Sequence, residues 1–156
     1  MIHLVDITED NWIEAVRLSV REDQKGFLAS SMGILARGYV YRDCRARVWG
    51  VAADECLVGL ALVRDMDEEP ATYDLQQFMI DQRYQGRGYG TAALNLILAL
   101  LRAEGRYGCV EVCVHKTDLP ALHLYEKAGF RDTGYIDDQI PDYLNLMHHF
   151  SQEQRP

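Results

Sequence analysis

The sequence is poor in cysteine and has no apolar run long enough to cross a membrane. Its longest apolar stretch, residues 92–101, contains Asn95 and falls well short of the ~20 residues that a transmembrane helix needs. No basic region followed by an apolar run stands at the N-terminus, so we expect neither an export signal nor a membrane partner. No Cys-x-x-Cys pair occurs among the cysteines, which are Cys44, Cys56, Cys109 and Cys113. We therefore expect free thiols, no metal site and a cytoplasmic location.

Positive charge is also scarce. Lysine and arginine total 16 against 24 aspartate and glutamate residues, so the formal net charge is -8. Because a nucleic-acid-binding protein needs a basic face, this balance excludes DNA and RNA as expected partners, while it permits a cationic ligand. The 156 residues, 48% of them hydrophobic, predict one domain over residues 1–156 that buries a core without disulfides.

Hydrophobic periodicity and turn residues predict a mixed α/β chain. Thr8 would cap a first helix whose apolar residues recur up to Val20, and Gly38 would end a second helix. The helix at 91–104 is apolar on nearly every side, so we expect it to be buried. The other predicted elements are strands over 3–7, 47–52, 57–64, 73–81, 110–115, 130–136 and 143–150, and helices over 27–37 and 119–128. This order indicates an α/β or α+β sheet with helices on its faces.

A glycine-rich turn joins the predicted strand at 73–81 to the predicted helix at 91–104. Residues 85–90 read Gln-Gly-Arg-Gly-Tyr-Gly. Such a turn directs several backbone N–H groups at one point, beside the positive end of a helix dipole, and so binds phosphate oxygens. The dinucleotide fingerprint needs a glycine where Thr91 stands, and the nucleoside-triphosphate loop needs a lysine that this turn lacks. A phosphorylated cofactor of another class is therefore predicted.

Two further segments extend this pattern. Phe78-x-Ile80 precedes Gln85-x-x-Gly88-x-Gly90, and residues 121–130 read Ala-Leu-His-Leu-Tyr-Glu-Lys-Ala-Gly-Phe. Over residues 73–131 the chain resembles the GCN5-related N-acetyltransferase (GNAT) superfamily. The resemblance implies that family's fold, a central mixed and mostly antiparallel sheet flanked by about four helices. It also implies acetyl-CoA as cosubstrate and direct transfer of the acetyl group to an amine.

The resemblance assigns roles to individual residues. Backbone groups of Phe78 and Ile80 would bind the pantetheine arm, and an N–H near Met79 would hold the oxyanion. Tyr125 would protonate the departing thiolate. Asp118 stands where the family often has asparagine, so its contact with the cofactor is a departure from the pattern. The predicted cofactor-binding residues are Phe78, Met79, Ile80, Gln85, Gly86, Arg87, Gly88, Tyr89, Gly90, Thr91 and Asp118.

The attacking amine also needs a proton acceptor. Deprotonating an alkylammonium at pH 7 costs about 4–5 kcal/mol, so a base is expected near the thioester. Strand alternation would place Asp74 on the side of Phe78, which makes Asp74 the predicted base. His115, His123 and an ordered water chain are the alternatives.

Residues 20–30 and 75–88 resemble bacterial spermine/spermidine acetyltransferases. That resemblance implies a polyamine acceptor, whose distal ammonium groups Glu22 and Asp23, together with residues 67–69, would bind. Another small amine and a protein or peptide amine are the alternative acceptors. A non-catalytic acyl-CoA sensor and a nucleotide-binding module are the alternative functions. Dimers are common in the family, so a homodimer is one expected assembly.

Overall fold

One sheet of seven strands carries helices on both faces. The computed structural model describes residues 1–151. The strands are β1 (Ile2–Asp6), β2 (Arg47–Ala53), β3 (Cys56–Met66), β4 (Thr72–Ile80), β5 (Cys109–His115), β6 (Arg131–Asp132) and β7 (Tyr143–His149). The helices are α1 (Trp12–Val16), α2 (Ser31–Val40), α3 (Tyr89–Glu104) and α4 (Leu119–Lys127). Across the sheet the strands lie in the order β1-β2-β3-β4-β5-β7-β6, which confirms the predicted mixed architecture.

The strands β4 and β5 run parallel and soon separate, whereas every other pair of neighbouring strands is antiparallel. Their pairing consists of Tyr73 with Val110 and Asp74 with Glu111. Beyond Asp74, β4 continues beside β3 while β5 turns away and pairs with β7. An opening therefore lies in the middle of the sheet, between the last residues of β4 and β5.

The backbone of β4 presents unpaired groups to this opening. Asp81 N–H donates to Val58 O at 2.7 Å, and this bond sets the alternation of the antiparallel pair β3–β4. The N–H and C=O of Met79 therefore point at β3. Those of Phe78 and Ile80 point into the opening. The sheet thus uses the Met79 N–H, and the strand donors next to the opening belong to Phe78 and Ile80.

A bulge in β4 decides which side chains share a face. The pairing with β3 shifts by one residue at Gln76. As a result, Leu75 and Phe78 both face the core on the α3 side. Met79 faces the core under α1 and α2, and strand alternation puts Asp74 on that same side. The prediction that Asp74 shares a face with Phe78 is therefore wrong, because one extra residue reverses the alternation.

The helix α3 is buried along one side only. Leu94, Ile97 and Leu101 are fully buried against the sheet. On the opposite side, Leu96 is 39% exposed, and Asn95 is also exposed. The prediction of a helix buried on nearly every side is wrong, because no described element covers the outer surface of α3.

The first two helices differ from their predicted bounds. The helix α1 ends before Val20. The helix α2 begins later than predicted because the Ser30 hydroxyl accepts a hydrogen bond from Gly33 N–H at 3.0 Å and caps it. It also continues through Gly38. A Cβ at that glycine would stand 2.6 Å from a methyl of Val48, so Gly38 permits close packing of the helix on β2 and does not end the helix.

The strand predicted over residues 130–136 is also too long. The pairing of β6 with β7 covers Arg131 and Asp132. After them Thr133 N–H makes one further backbone bond to Asn145 O at 2.9 Å, and the Asn145 side chain then donates to Tyr135 O at 3.0 Å. Side-chain bonding to a loop carbonyl therefore replaces strand pairing here.

Residues 1–151 contain no membrane-spanning helix, no metal-binding cluster and no disulfide. No helix there is long and apolar enough to cross a membrane. In that same range, no three His, Cys, Asp or Glu side chains are grouped so that they could hold a metal ion. The cysteines of the chain carry free thiols.

Candidate active site

Two cavities meet where β4 and β5 separate. The first, which we call the turn cavity, has a volume of about 350 Å³ and is lined by residues 84–86, 88–90, the end of β4 and the start of α4. The second, which we call the groove, has a volume of about 1130 Å³ and runs along β4 and β5 towards residues 133–145. We call the residues that line both cavities the junction: Leu28, Phe78, Asp118, Ala121 and Tyr125.

The glycine turn directs free backbone donors into the turn cavity. Gly86 and Gly88 have φ values of 79° and 81°, a left-handed conformation that other residues adopt at a cost. Gly88 is also the N-cap of α3 and offers no side-chain cap. Within the described part of the chain, the N–H groups of residues 86–91 have no acceptor. Oriented donors at the start of a helix form an anion site.

Side chains around the turn hold it in place. The Gln85 amide donates to Ile80 O and to the Gln24 side chain, both at 2.9 Å. Gln85 therefore ties the turn to the end of β4 and does not point a free donor at the cavity. Arg87 is exposed and donates weakly to Arg83 O at 3.4 Å. Neither it nor the predicted ligand Thr91, exposed in the first turn of α3, lines the cavity.

Asp81 ties the turn to the N-terminal part of the chain, a role that sequence reasoning missed. Its buried carboxylate accepts hydrogen bonds from Ser19 N–H at 2.9 Å and from the backbone and side chain of Arg83. Burial acts to raise the pKa of Asp81, but these hydrogen bonds outweigh it and the pKa is lowered. The carboxylate is therefore ionised in the neutral range and fixes the segment that ends at Val20.

Tyr125 brings a hydroxyl to the junction. Its side chain is 6% exposed, and its ring packs edge-on against Phe130 with centroids 5.3 Å apart. Burial, followed by the charge of Asp118, raises the pKa of Tyr125 above its usual range. The hydroxyl has no hydrogen-bond partner within residues 1–151. It is thus a protonated donor that a ligand in either cavity can reach.

Asp118 is the N-cap of α4, as the sequence predicts. Its Oδ1 accepts from Ala121 N–H at 3.4 Å. The side chain is half-buried. Burial raises the pKa of Asp118, against the lowering effect of the Ala121 hydrogen bond and of His115 and Arg21.

The groove is lined by carboxylates on its floor. Asp74 accepts a hydrogen bond from Arg64 Nε at 2.9 Å, and its pKa is raised because burial outweighs that contact. Glu111 lies beside Asp74 across β4 and β5 and has no partner among the described residues. Burial and the charge of Asp74 raise the pKa of Glu111. The same two causes, with Glu111 added, raise the pKa of Cys113 to about 11. This floor is therefore short of positive charge.

Further acidic residues stand around the groove. Its lining includes Glu68 and Glu69 from the predicted acidic loop, and Asp137. Asp67, from that loop, lies outside the groove and accepts a hydrogen bond from the Tyr107 hydroxyl. The carboxylates lining the groove outnumber its guanidinium groups. The lining carboxylates are Glu68, Glu69, Asp74, Glu111, Asp118 and Asp137, and the guanidinium groups are Arg37 and Arg64.

The two predicted histidines are placed differently. His115 lines the groove between the rings of Phe27 and Tyr143, with centroids 5.2 and 5.1 Å away. Its Nδ1 accepts from Thr117 N–H at 3.2 Å, so the proton of the neutral ring is on Nε2. His123 is exposed on α4 and lines neither cavity.

Glu22 and Asp23, predicted to bind the acceptor, lie outside both cavities. Each pairs on the surface instead, Glu22 with Lys25 at 2.7 Å and Asp23 with Arg21 at 3.3 Å. The predicted position along the acceptor site is wrong because this segment folds as a 3-10 turn beside the turn cavity, not along the groove. Glu111 was the carboxylate that sequence reasoning missed, and its signal was a charge among the valines of a buried strand.

Comparison with known proteins gives a family model that matches most of the chain. The model described as the acetyltransferase (GNAT) family matches residues 5–130. Among curated proteins, the chain is similar to the spermine/spermidine N(1)-acetyltransferase of Bacillus subtilis (strain 168). The two are 24% identical over 139 residues, which cover 87% of this chain and 91% of that protein.

Solved structures share the fold. An aminoglycoside acetyltransferase in complex with coenzyme A aligns with a TM-score of 0.79 and 16% identity, covering 96% of this chain and 95% of that one. The spermidine N-acetyltransferase from Vibrio cholerae, in complex with CoA and spermine, aligns with a TM-score of 0.72 and 17% identity, covering 95% of each chain. At these identities the similarity concerns the fold.

Proposed function

The chain belongs to the acetyltransferase (GNAT) family, and we propose that it transfers the acetyl group of acetyl-CoA to a primary amine, with spermidine or spermine as acceptor. One observation carries this proposal. A cavity bounded by free N–H groups and a groove lined by carboxylates meet at Tyr125. An anionic cosubstrate and a cationic acceptor can thus enter from opposite sides and react at the junction.

Acetyl-CoA fits the turn cavity. The free N–H groups of residues 86–91 are suited to the pyrophosphate, and Arg21 adds a positive charge to the lining. The C=O of Phe78 and the N–H of Ile80, which have no partner among the described residues, would bind the pantetheine arm in the manner of an added strand. The predicted cofactor-binding residues that line this cavity are Phe78, Met79, Ile80, Gln85, Gly86, Gly88, Tyr89, Gly90 and Asp118.

Groups at the junction supply the chemistry. The N–H of Phe78 points into the opening and would stabilise the negative charge that develops on the carbonyl oxygen of the acetyl group. Tyr125 would protonate the thiolate as it leaves. A phenol is protonated at pH 7, and the raised pKa of Tyr125 keeps it so, which leaves its proton available to the thiolate.

The polyamine acceptor is favoured by the floor of the groove. Glu111 is half-buried without a cationic partner among the described residues, and Asp74 pairs there with a single arginine, Arg64. A second ammonium group of the acceptor would supply the missing positive charge. Aromatic rings of Phe27, His115 and Tyr143 border the same space and suit alkylammonium groups. The names of the Bacillus and Vibrio relatives support this class of acceptor.

A thiol-release assay tests the proposal. Wild-type protein with acetyl-CoA is assayed against spermine, spermidine, a monoamine of similar length and a peptide, and we expect the highest kcat/KM with the polyamines. The variant Glu111→Gln should raise the KM for spermine about 10-fold with little change for the monoamine, as expected for loss of a charged contact. Glu126→Gln, an exposed site on α4, is the matched control. Activity confined to the peptide would overturn the proposal of a polyamine acceptor. No thiol release with any amine would overturn the proposal of acetyltransferase activity.

We place this reaction in the cytoplasm, where the free thiols of the chain would stay reduced. The homodimer and the organisation of residues 1–156 as one domain stay predictions.

A further inference from the structure

Asp118 is the carboxylate of the junction. Asp118 and Tyr125 are its ionisable members, and Tyr125 already has the role of proton donor. One oxygen of Asp118, Oδ1, caps α4. The other oxygen, Oδ2, has no hydrogen-bond partner within residues 1–151. A free carboxylate oxygen therefore stands at the point where the amine and the acetyl group would meet.

We propose that the Asp118 carboxylate accepts the proton of the attacking amine. The inference rests on the function proposed above and assigns the base, for which the sequence offered Asp74, His115 and His123.

The other ionisable groups are less well placed. Asp74 is bound to Arg64 and stands four residues before Phe78 on the other face of β4, so about 13 Å of strand separates it from the junction. Glu111 is the strand partner of Asp74 on β5, so it lies at the same level of the sheet and equally far from the junction. His115 lines the groove but not the turn cavity, and its acceptor nitrogen already accepts a hydrogen bond from Thr117.

The protons of the reaction balance through two groups. One N–H proton of the ammonium passes to Asp118 Oδ2 as the nitrogen lone pair forms the C–N bond to the acetyl carbon. The C–S bond then breaks, its electron pair leaves with sulfur, and Tyr125 protonates that sulfur. The second proton lost by nitrogen restores Tyr125. Asp118 releases the first proton to solvent through the groove, so one proton is freed for each acetyl group transferred.

Four groups set the charge around Asp118. Burial, and more weakly the charge of Asp23, raises its pKa, while the side chains of His115 and Arg21 lower it. Tyr125 faces it as a neutral phenol. A raised pKa brings the carboxylate closer to the pKa of the amine, which favours proton transfer. Since the base must be ionised, kcat/KM should fall as the pH falls through the raised pKa of Asp118.

The variant Asp118→Asn separates this role from helix capping, because asparagine caps a helix as well as aspartate does. We expect kcat/KM for spermidine to fall about 100-fold or more, the acidic limb of the pH profile to disappear, and the Tm and the acetyl-CoA Kd to stay unchanged. Asp10→Asn, at an exposed position far from Asp118 in the sequence, is the control for loss of one charge.

A nucleophile that is already neutral gives the second readout. Hydroxylamine, which is mainly unprotonated at pH 7, needs no base before attack, so the loss in Asp118→Asn should shrink to less than about 10-fold with it. An equal loss with both classes of nucleophile, a retained acidic limb, or loss of acetyl-CoA binding by calorimetry would overturn the inference. Wild-type activity with all these amines keeps the proposed function intact in each of those cases. A wild-type protein that releases no thiol would overturn both.

Discussion

A single phenol shows how burial sets reactivity at the scale of the residue. Tyr125 belongs to the edge of the main core and also lines both cavities. Burial more than any neighbouring charge raises its pKa. The side chain therefore stays protonated throughout the neutral range, which suits a proton donor and excludes a base.

Replacing Tyr125 with phenylalanine tests this role. The ring and its contact with Phe130 remain, so we expect the acetyl-CoA Kd to be unchanged while kcat falls about 100-fold or more, the usual loss for a general acid. Thiol release and calorimetry measure the two quantities. Tyr39→Phe, at a residue that is 68% exposed, is the control. Unchanged turnover would remove Tyr125 from the mechanism, whereas a wild-type protein that binds acetyl-CoA without turnover would favour a sensor.

Asp81 connects two segments that are far apart in the chain, because its carboxylate bonds to both Ser19 and Arg83. Because its pKa is lowered in the folded state, its contribution is present above the unfolded-state pKa of about 3.9 and is lost as the pH falls through the lower folded-state value. Asp81→Asn should lower the free energy of unfolding at pH 7 by about 1–3 kcal/mol. Urea denaturation at pH 7 and pH 3 measures it, with Asp10→Asn as control. A deficit that grew at pH 3 would contradict this account.

At the scale of the element, the glycine turn at the start of α3 has backbone donors that would bind the proposed cofactor. Gly88 has a left-handed backbone and open space where a Cβ would stand. Gly88 lines the turn cavity, so a methyl group there would strain the backbone and take up space at the wall of that cavity. The requirement for glycine thus comes from backbone conformation and would come also from the proposed ligand, not from packing within the protein.

The variant Gly88→Ala should therefore weaken acetyl-CoA binding more than it weakens folding. We expect the Kd to rise at least about 10-fold, while the backbone strain costs about 1 kcal/mol of stability. Gly105→Ala is matched for strain, since Gly105 has a φ of 68° at the other end of α3, far from the turn. Calorimetry and thermal denaturation of both variants check this. Equal loss of binding in both would show that the effect is one of stability.

At the scale of the whole molecule, the surplus of acidic residues favours a polycation. The net charge of -8 lies on a chain in whose groove carboxylates outnumber guanidinium groups. Salt screens the attraction between these carboxylates and a polyamine, over a distance of about 10 Å at 0.1 M salt and about 3 Å at 1 M salt.

The KM for spermine should therefore rise with salt more steeply than the KM for a monoamine. Steady-state assays between low and high sodium chloride, at saturating acetyl-CoA, measure both dependences. The contrast follows from the number of positive charges that each acceptor brings to the groove. Parallel curves for the two acceptors would indicate that only one ammonium group is recognised.

Local patterns in the sequence predicted most elements and the glycine-rich turn before α3. The glycines of residues 86–90, the Asp118 cap and the Gly105 end of α3 are local features, and the structure confirms each as a structural element. Bounds were wrong where a distant residue intervened, as at Gly38, which Val48 approaches. Propensity within a window contains no information on such contacts.

The sequence alone determined that the chain forms a mixed sheet with a glycine-rich turn at the start of a helix, because turn chemistry and periodicity act between near neighbours. Only the tertiary structure decided where the reaction would occur. The bulge at Gln76 moved Asp74 to the other face of β4, and the separation of β4 from β5 brought Phe78, Asp118 and Tyr125 to one junction. These arrangements depend on strand register and on packing between segments far apart in the chain, and the pKa of a side chain follows from the burial they create.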